Sequence, residues 1–178
     1  MNYRCVVIDP PWPERGAGKV KRGADRHYAL LSVQQIVELL EEEIEPKLAP
    51  DCHLWLWTTN NYLEAGLLVI KKLGFRYVTN LAWVKDRIGL GQYLRGQHEL
   101  CLFAVRGEAM MPEHRTTPSV LFCPKGPHSM KPQLAFDSIT NVSPAPRLEV
   151  FCRTKRPGWD AWGNEVEDTL LTIGESAR

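Results

Sequence analysis

The strongest constraint on the fold is a short apolar run, Cys5-Val6-Val7-Ile8, that stops at Asp9-Pro10-Pro11. Its apolarity is continuous rather than alternating, which predicts a strand covered on both faces, as in a parallel sheet. Two consecutive prolines remove two backbone donors and fix φ, so the ladder cannot continue past them. The residue before each proline is held extended. The Pro10 carbonyl is therefore expected to be a rigidly held acceptor without a ladder partner.

A parallel sheet needs crossovers, and the next segments supply them. Ser32 opens a helix with Gln35 placed for a capping box and a stripe Val33, Ile36, Val37, Leu40, Ile44. His53-Leu54-Trp55-Leu56-Trp57 reads as a second strand, ending in Thr58-Thr59-Asn60-Asn61. A second helix is expected from Tyr62 to Leu73, stopped by Gly74. This β-α-β-α alternation argues for an α/β fold with right-handed crossovers and helices on both faces of the sheet. Tyr77 to Lys85 and His98 to Val105 then read as two strands without an intervening helix, hence an antiparallel pair at one side of a mostly parallel sheet. Their connection carries Gly89, Gly91 and Gly96. Residues 106–128 read as irregular, with an apolar island at Val120-Leu121-Phe122-Cys123. Pro132 fits the first turn of a third helix reaching Thr140, and Arg147 to Cys152 reads as the last strand before a Gly/Trp-rich tail.

Composition narrows the class. A chain of 178 residues predicts a single domain, here placed at 1–168 with a tail at 169–178 and no separate target-recognition domain. Lys+Arg total 22 against 21 Asp+Glu, so any anionic partner must be met by local charge. No apolar run approaches a membrane span and no signal-peptide core is present, which predicts a cytoplasmic protein with no membrane partner. Five cysteines, an odd number with no C-x-x-C spacing, read as buried reduced thiols. The histidines show no metal-ligand spacing, and no metal site is expected.

Ligands of open α/β sheets bind at the carboxyl ends of the strands. Three polar clusters fall there: Asp9-Pro10-Pro11-Trp12, Thr58-Thr59-Asn60-Asn61, and Arg153 onward. A carboxylate, a fixed carbonyl and a flat aromatic together suit a planar ring carrying an exocyclic amine. The alternative is a strand-ending turn with Trp12 as a lid on the core. The segment after the motif holds Arg15, Lys19, Lys21, Arg22 and Arg26 against Glu14 and Asp25. It reads either as a mobile lid contacting phosphates or as a solvated loop. Lys85, Arg87 and Arg95 flank a second loop and would form the opposite wall.

Asp9-Pro10-Pro11-Trp12 matches the D-P-P-W signature of amino-group methyltransferases, and the chain resembles the MT-A family of S-adenosylmethionine-dependent N6-adenine methyltransferases, in its small stand-alone prokaryotic or phage type. The resemblance runs from about Tyr3 to Glu165. It takes in His27-Tyr28, Leu54 to Asn60, Trp83-Val84-Lys85, His98-Glu99, His128-Ser129-Met130-Lys131-Pro132, Leu148 to Arg153, and Gly158 to Glu165. It implies a Rossmann-like methyltransferase fold in permuted motif order, with the catalytic motif first and the cofactor blocks last. It further implies methyl transfer from S-adenosyl-L-methionine to the N6 amine of adenine. Asp9 and Pro10 would accept the two amine protons, with Pro11 and Trp12 completing the motif. Trp12 and Tyr28 would line or stack on the flipped base. Arg15, Lys21, Arg22 and Lys85 would meet the nucleic acid.

For the cofactor, the resemblance carries Lys131 to the methionine carboxylate, and Arg153, Asn164 and Glu165 to the ribose and methionine ends. Asp9, Ser129 and Phe151 belong to the same cofactor set. Glu99 would either pair with Lys131 across the pocket or simply close a strand. Trp55, Trp57 and Trp83 read as core or pocket wall, and Trp159 and Trp162 as framing the cofactor end. Two departures stand out. The upstream acidic contact to the cofactor adenine found in longer relatives has no counterpart before Asp9, and there is no G-x-G-x-x-G loop. The expected partner is DNA. RNA is the alternative polymer, and a non-catalytic nucleic-acid-binding subunit is the alternative of another class. A homodimer or an accessory specificity subunit would supply whatever recognition the loops do not.

Overall fold

The structure, a computed structural model, describes residues 2–14, 30–89, 91, 93–108, 110–113, 115–126, 130–152 and 155–163. Its elements are β1 (Tyr3–Ile8), α1 (Val33–Leu39), β2 (Leu48–Thr58), α2 (Leu63–Lys72), β3 (Arg76–Val84), β4 (His98–Arg106), β5 (Val120–Phe122), α3 (Gln133–Val142), β6 (Arg147–Val150) and β7 (Asp160–Trp162). Among the described residues seven strands form one sheet in the order β5-β3-β4-β2-β1-β6-β7. β4 alone is reversed: it pairs antiparallel with β2 and β3, while every other pairing is parallel. The mixed sheet with an antiparallel pair at one side is thus as the sequence predicts.

Strand parity divides the core. Val6 and Ile8 of β1, with Leu54 and Leu56 of β2, face α1 and α2 in one apolar cluster. Cys5 and Val7, with Trp55 and Trp57, face α3 in the other. Covering on both faces is why these runs lack an alternating pattern. Ser32 Oγ accepts the Gln35 N–H at 3.2 Å and Gln35 Oε1 accepts the Ser32 N–H at 2.9 Å, the expected capping box. The helix then widens into a π turn over Leu40–Ile44, which keeps Leu40 and Ile44 in the core. α2 stops at Gly74, whose φ of +74° suits glycine; its N–H reaches the Lys71 carbonyl and the Phe75 N–H reaches that of Ile70.

Several expectations require correction. β2 begins at Leu48 rather than His53. The island in the supposedly irregular 106–128 stretch is β5, an edge strand laddered to β3, and the tail contains β7, laddered to β6. Pro132 is the residue capping α3, with extended backbone (φ −67°, ψ 143°), so the helix starts one residue later. Cys5, Cys52, Cys101 and Cys152 are buried packing residues and Cys123 is half-buried. No described helix is long and apolar enough to cross a membrane. The tail at 169–178 lies outside the described residues.

From β1 the chain crosses through α1 to β2 and works outward to β5 at one edge, then returns through α3 to β6 on the other side of β1, with β7 outside it. β1 is therefore the switch point of the sheet, and its carboxyl end is where such folds bind ligands.

Candidate active site

Asp9 follows Ile8 at that switch point, and its N–H donates to the Val150 carbonyl at 3.3 Å, fastening the motif to the end of β6. Beyond it the ladder ends, as two prolines require. The Pro10 carbonyl does have a partner, contrary to expectation: it accepts the Trp12 N–H at 2.8 Å in a three-residue turn. A carbonyl oxygen has two lone pairs, so one acceptor position remains beside the Asp9 carboxylate.

Of the two readings of Trp12, its contacts match the lid on the core. The residue is 5% exposed, its Nε1–H donates to the Trp57 carbonyl at 3.0 Å, and its ring stacks on Tyr62 at 5.5 Å between centroids. The cluster after β2 clamps the same segment. The Tyr62 hydroxyl donates to the Pro13 carbonyl at 2.8 Å, and the Thr59 hydroxyl donates to Glu14. The second polar cluster thus holds the first in place.

Across the carboxyl edge of the sheet, on the α3 face, four charges form a chain. Lys131 Nζ lies 2.7 Å from Asp9 Oδ2 and 3.4 Å from Glu99 Oε2, and Lys85 Nζ lies 2.5 Å from Glu99 Oε1. Glu99 thus pairs with Lys131 rather than merely closing a strand. Lys85, expected on the nucleic-acid wall, is instead bound to Glu99 and lies over the Trp83 ring at 4.8 Å. Lys131 lies 5.3 Å from the Trp57 ring centre, so indole faces floor both ammonium groups. Burial alone would push the Glu99 carboxyl up, but Lys131 and Lys85 outweigh it and hold it below the usual glutamate range. Burial likewise opposes the Lys131 charge, and the carboxylates of Asp9 and Glu99 overcome it, raising its pKa. The Asp9 side chain, 31% exposed against 11% for Lys131 and 16% for Glu99, is the member of this trio most open to solvent.

A second pair escaped sequence reasoning. Glu149 Oε2 on β6 accepts from Arg156 Nε at 3.1 Å, and Arg156 also donates to Gln133 Oε1 at 2.7 Å and lies over Phe136 at 3.7 Å. Burial pushes the Glu149 carboxyl up to about 7; Arg156 offsets part of this, and Asp9 adds to it. The available signal was a lone acid inside an apolar strand, Leu148-Glu149-Val150. Phe151, next in the chain, has a φ of +61°, so the backbone turns sharply out of β6, and its ring meets Trp162 edge-on at 5.5 Å. The Cys152 N–H reaches the Trp162 carbonyl at 3.2 Å, joining the ends of β6 and β7. Trp162 is buried against this corner, whereas Trp159 sits edge-on to Phe136 on the α3 side.

The structure thus brings together Asp9, Pro10, Lys131 and Phe151 at one sheet end, with Pro11 and Trp12 shaping the turn. Arg15, Lys21, Arg22 and Tyr28 lie outside the described residues, as do Ser129, Arg153, Asn164 and Glu165. The described arrangement offers acceptors at the Asp9 carboxylate and the Pro10 carbonyl, and a buried ammonium at Lys131.

A protein-family model described as MT-A70 matches residues 3–165. The type II methyltransferase M.MunI of a Mycoplasma species is 30% identical, over 97% of this chain and 81% of its own length. The N6-methyladenosine RNA methyltransferase MTA1 of Cryphonectria parasitica is 31% identical over 92% of this chain and 52% of its own length. The human N(6)-adenine-specific methyltransferase METTL4 is 31% identical over 93% of this chain, which spans 39% of that protein.

Proposed function

The chain belongs to the MT-A70 family, and from that premise we propose that it transfers the methyl group of S-adenosylmethionine to the exocyclic N6 amine of adenine in DNA. The observation that carries the reading is the pair of acceptors at the end of β1, the Asp9 carboxylate and the Pro10 carbonyl, with Lys131 2.7 Å from the carboxylate. The relatives favour adenine N6 as the target, and the chain spans the type II methyltransferase more fully than the RNA enzyme. Adenosine in RNA is the alternative substrate.

The N6 lone pair of adenine is delocalised into the ring and is a poor nucleophile. Hydrogen bonds from its two protons to Asp9 and Pro10 favour a pyramidal nitrogen and free that pair. Catalysis is then positioning and electrostatics, with no covalent enzyme intermediate. The donor set fits the amino-acid end of the cofactor: the Lys131 ammonium suits a carboxylate, and Asp9 and Glu99 suit a cationic centre. When bound, the cofactor supplies a sulfonium methyl as electrophile. Asp9 would take up, along its hydrogen bond, the proton that the methylated N6 amine must lose. Phe151 would wall the same pocket, with Ser129, Arg153, Asn164 and Glu165 completing the cofactor contacts. Tyr28, Arg15, Lys21 and Arg22 would line the base and the phosphates. A homodimer or an accessory specificity subunit would share target recognition.

The test is transfer from labelled cofactor to DNA and to RNA by wild type and Asp9→Ala. Incorporation into DNA adenine that falls roughly 100-fold or more in the variant supports the reading. No incorporation into either polymer, with no cofactor binding by calorimetry, overturns it. Incorporation into RNA alone overturns the choice of polymer.

A further inference from the structure

The hairpin that joins β3 to β4 continues as a stem beyond its last strand pair. The Lys85 N–H donates to the Gln97 carbonyl at 2.8 Å and Gln97 Nε2 returns a bond to the Lys85 carbonyl at 3.0 Å. The Gly89 N–H reaches the Gly96 carbonyl at 2.6 Å, and Asp86 Oδ1 accepts the Lys125 N–H at 3.1 Å, bracing the stem from the side. At Gly91 a Cβ would overlap the Leu94 backbone, so the turn at the tip calls for glycine there.

This braced tip presents apolar side chains to solvent. Tyr93 is 100% exposed, Leu94 86% and Ile88 65%. Arg87 lies beside them, its side chain 90% exposed, and Arg95 follows Leu94. Scattered apolar residues on a surface need no explanation. Three on one glycine-built projection, flanked by arginines, do. The stem rises from Lys85, the outer member of the chain of charges that ends at Asp9.

We propose that this tip is a wedge for duplex nucleic acid: Tyr93 and Leu94 enter the base stack and occupy the space left when the target adenine swings out to Asp9. The inference rests on the adenine-methyltransferase reading above. Chemistry on a base inside a duplex requires that base to leave the stack, and the vacated space must be filled or the helix recloses. Apolar wedges inserted between base steps are a general solution, and flanking arginines neutralise the adjoining phosphates. A second copy of the chain is the weaker occupant. The three apolar side chains bury at most about 500 Å², below the roughly 800 Å² per partner of a stable interface.

The experiment compares wild type, Tyr93→Ala/Leu94→Ala and Tyr93→Phe on a duplex carrying the mapped target adenine and on the same strand unpaired. Extrusion is read by 2-aminopurine fluorescence at the target position. The double variant should lose roughly ten- to hundredfold in kcat/KM on the duplex, with a matching loss of fluorescence rise. It should stay within about twofold of wild type on the single strand, with cofactor affinity unchanged. Tyr93→Phe, which keeps the ring, should retain duplex activity. Equal activity on both substrates, or equal loss on both, overturns the wedge. Loss on both accompanied by conversion of a dimer to a monomer overturns it in favour of a second copy. Wild type inactive on both substrates defeats the methyltransferase reading itself, and the wedge with it.

Discussion

Substituting glutamine for Glu149 decides whether burial or pairing governs the acid inside β6. Burial pushes its carboxyl from 4.5 to about 7, despite Arg156 at 3.1 Å. Between those two values the folded chain holds a proton that the unfolded chain has released, so stability must fall as pH rises through this window. Below the lower value both states are protonated and the difference vanishes; above about 7 it is complete. At 1.36 kcal/mol per unit, the full difference is about 3 kcal/mol, with the Arg156 attraction already included.

Glutamine has the same shape, keeps an acceptor for Arg156 and does not titrate. The readout is urea unfolding of both proteins from pH 4.5 to 8, followed by tryptophan fluorescence. Subtracting one curve from the other removes groups common to both. The stability of wild type relative to Glu149→Gln should drop by about 3 kcal/mol across this range. A flat difference, or one that grows with pH, would refute the reasoning: the Arg156 pairing would then outweigh burial and hold Glu149 ionised.

Three further outcomes are expected. Ser143 Oγ accepts from Trp55 Nε1 at 2.8 Å and meets His53 Nδ1 at 2.9 Å, so Ser143→Ala strands two buried polar groups and should cost about 2–4 kcal/mol in urea unfolding. Trp12→Phe keeps an aromatic ring but loses part of the indole and its bond to the Trp57 carbonyl, and should lower stability by about 1–2 kcal/mol with little change in KM for nucleic acid. The opposite pattern, unchanged melting with a raised KM, would return Trp12 to the role of a base-stacking surface. Lys131→Met should weaken S-adenosylmethionine binding roughly 10- to 100-fold by calorimetry, the worth of one charge-assisted bond; unchanged affinity would remove Lys131 from the cofactor site.

What was legible in the sequence is local. The end of β1 follows from two prolines, the start of α1 from a serine and a glutamine three residues on, and the end of α2 from Gly74. Asp9 was locatable on the same ground, because ligands of alternating strand–helix sheets bind at the carboxyl ends of the strands. β5 and β7 were not legible, since three residues show no period; they are strands because β3 and β6 offer them open edges. The start of β2, Leu48-Ala49-Pro50-Asp51, carries a proline and an acid that hide it, and its setting comes from the pairing of Leu48 with Tyr3 and from the Arg106 guanidinium on the carbonyls of Leu48 and Ala49.

The charges of the site resist sequence reasoning for a related reason. Asp9 and Lys131 stand 122 residues apart, and Lys85, just past the end of β3, stands 14 from Glu99 on β4. Family blocks mark Lys131 as important without disclosing that its ammonium rests on Asp9. That contact bears on the order of events. While Lys131 holds Asp9 Oδ2, the carboxylate is partly committed, and adenine must share it. A cofactor carboxylate that draws Lys131 toward itself would loosen this hold and strengthen Asp9 as an acceptor for the amine. Nucleic acid should therefore bind more tightly in the presence of S-adenosylmethionine than in its absence, and that coupling should vanish in Lys131→Met, where Asp9 has no ammonium to lose.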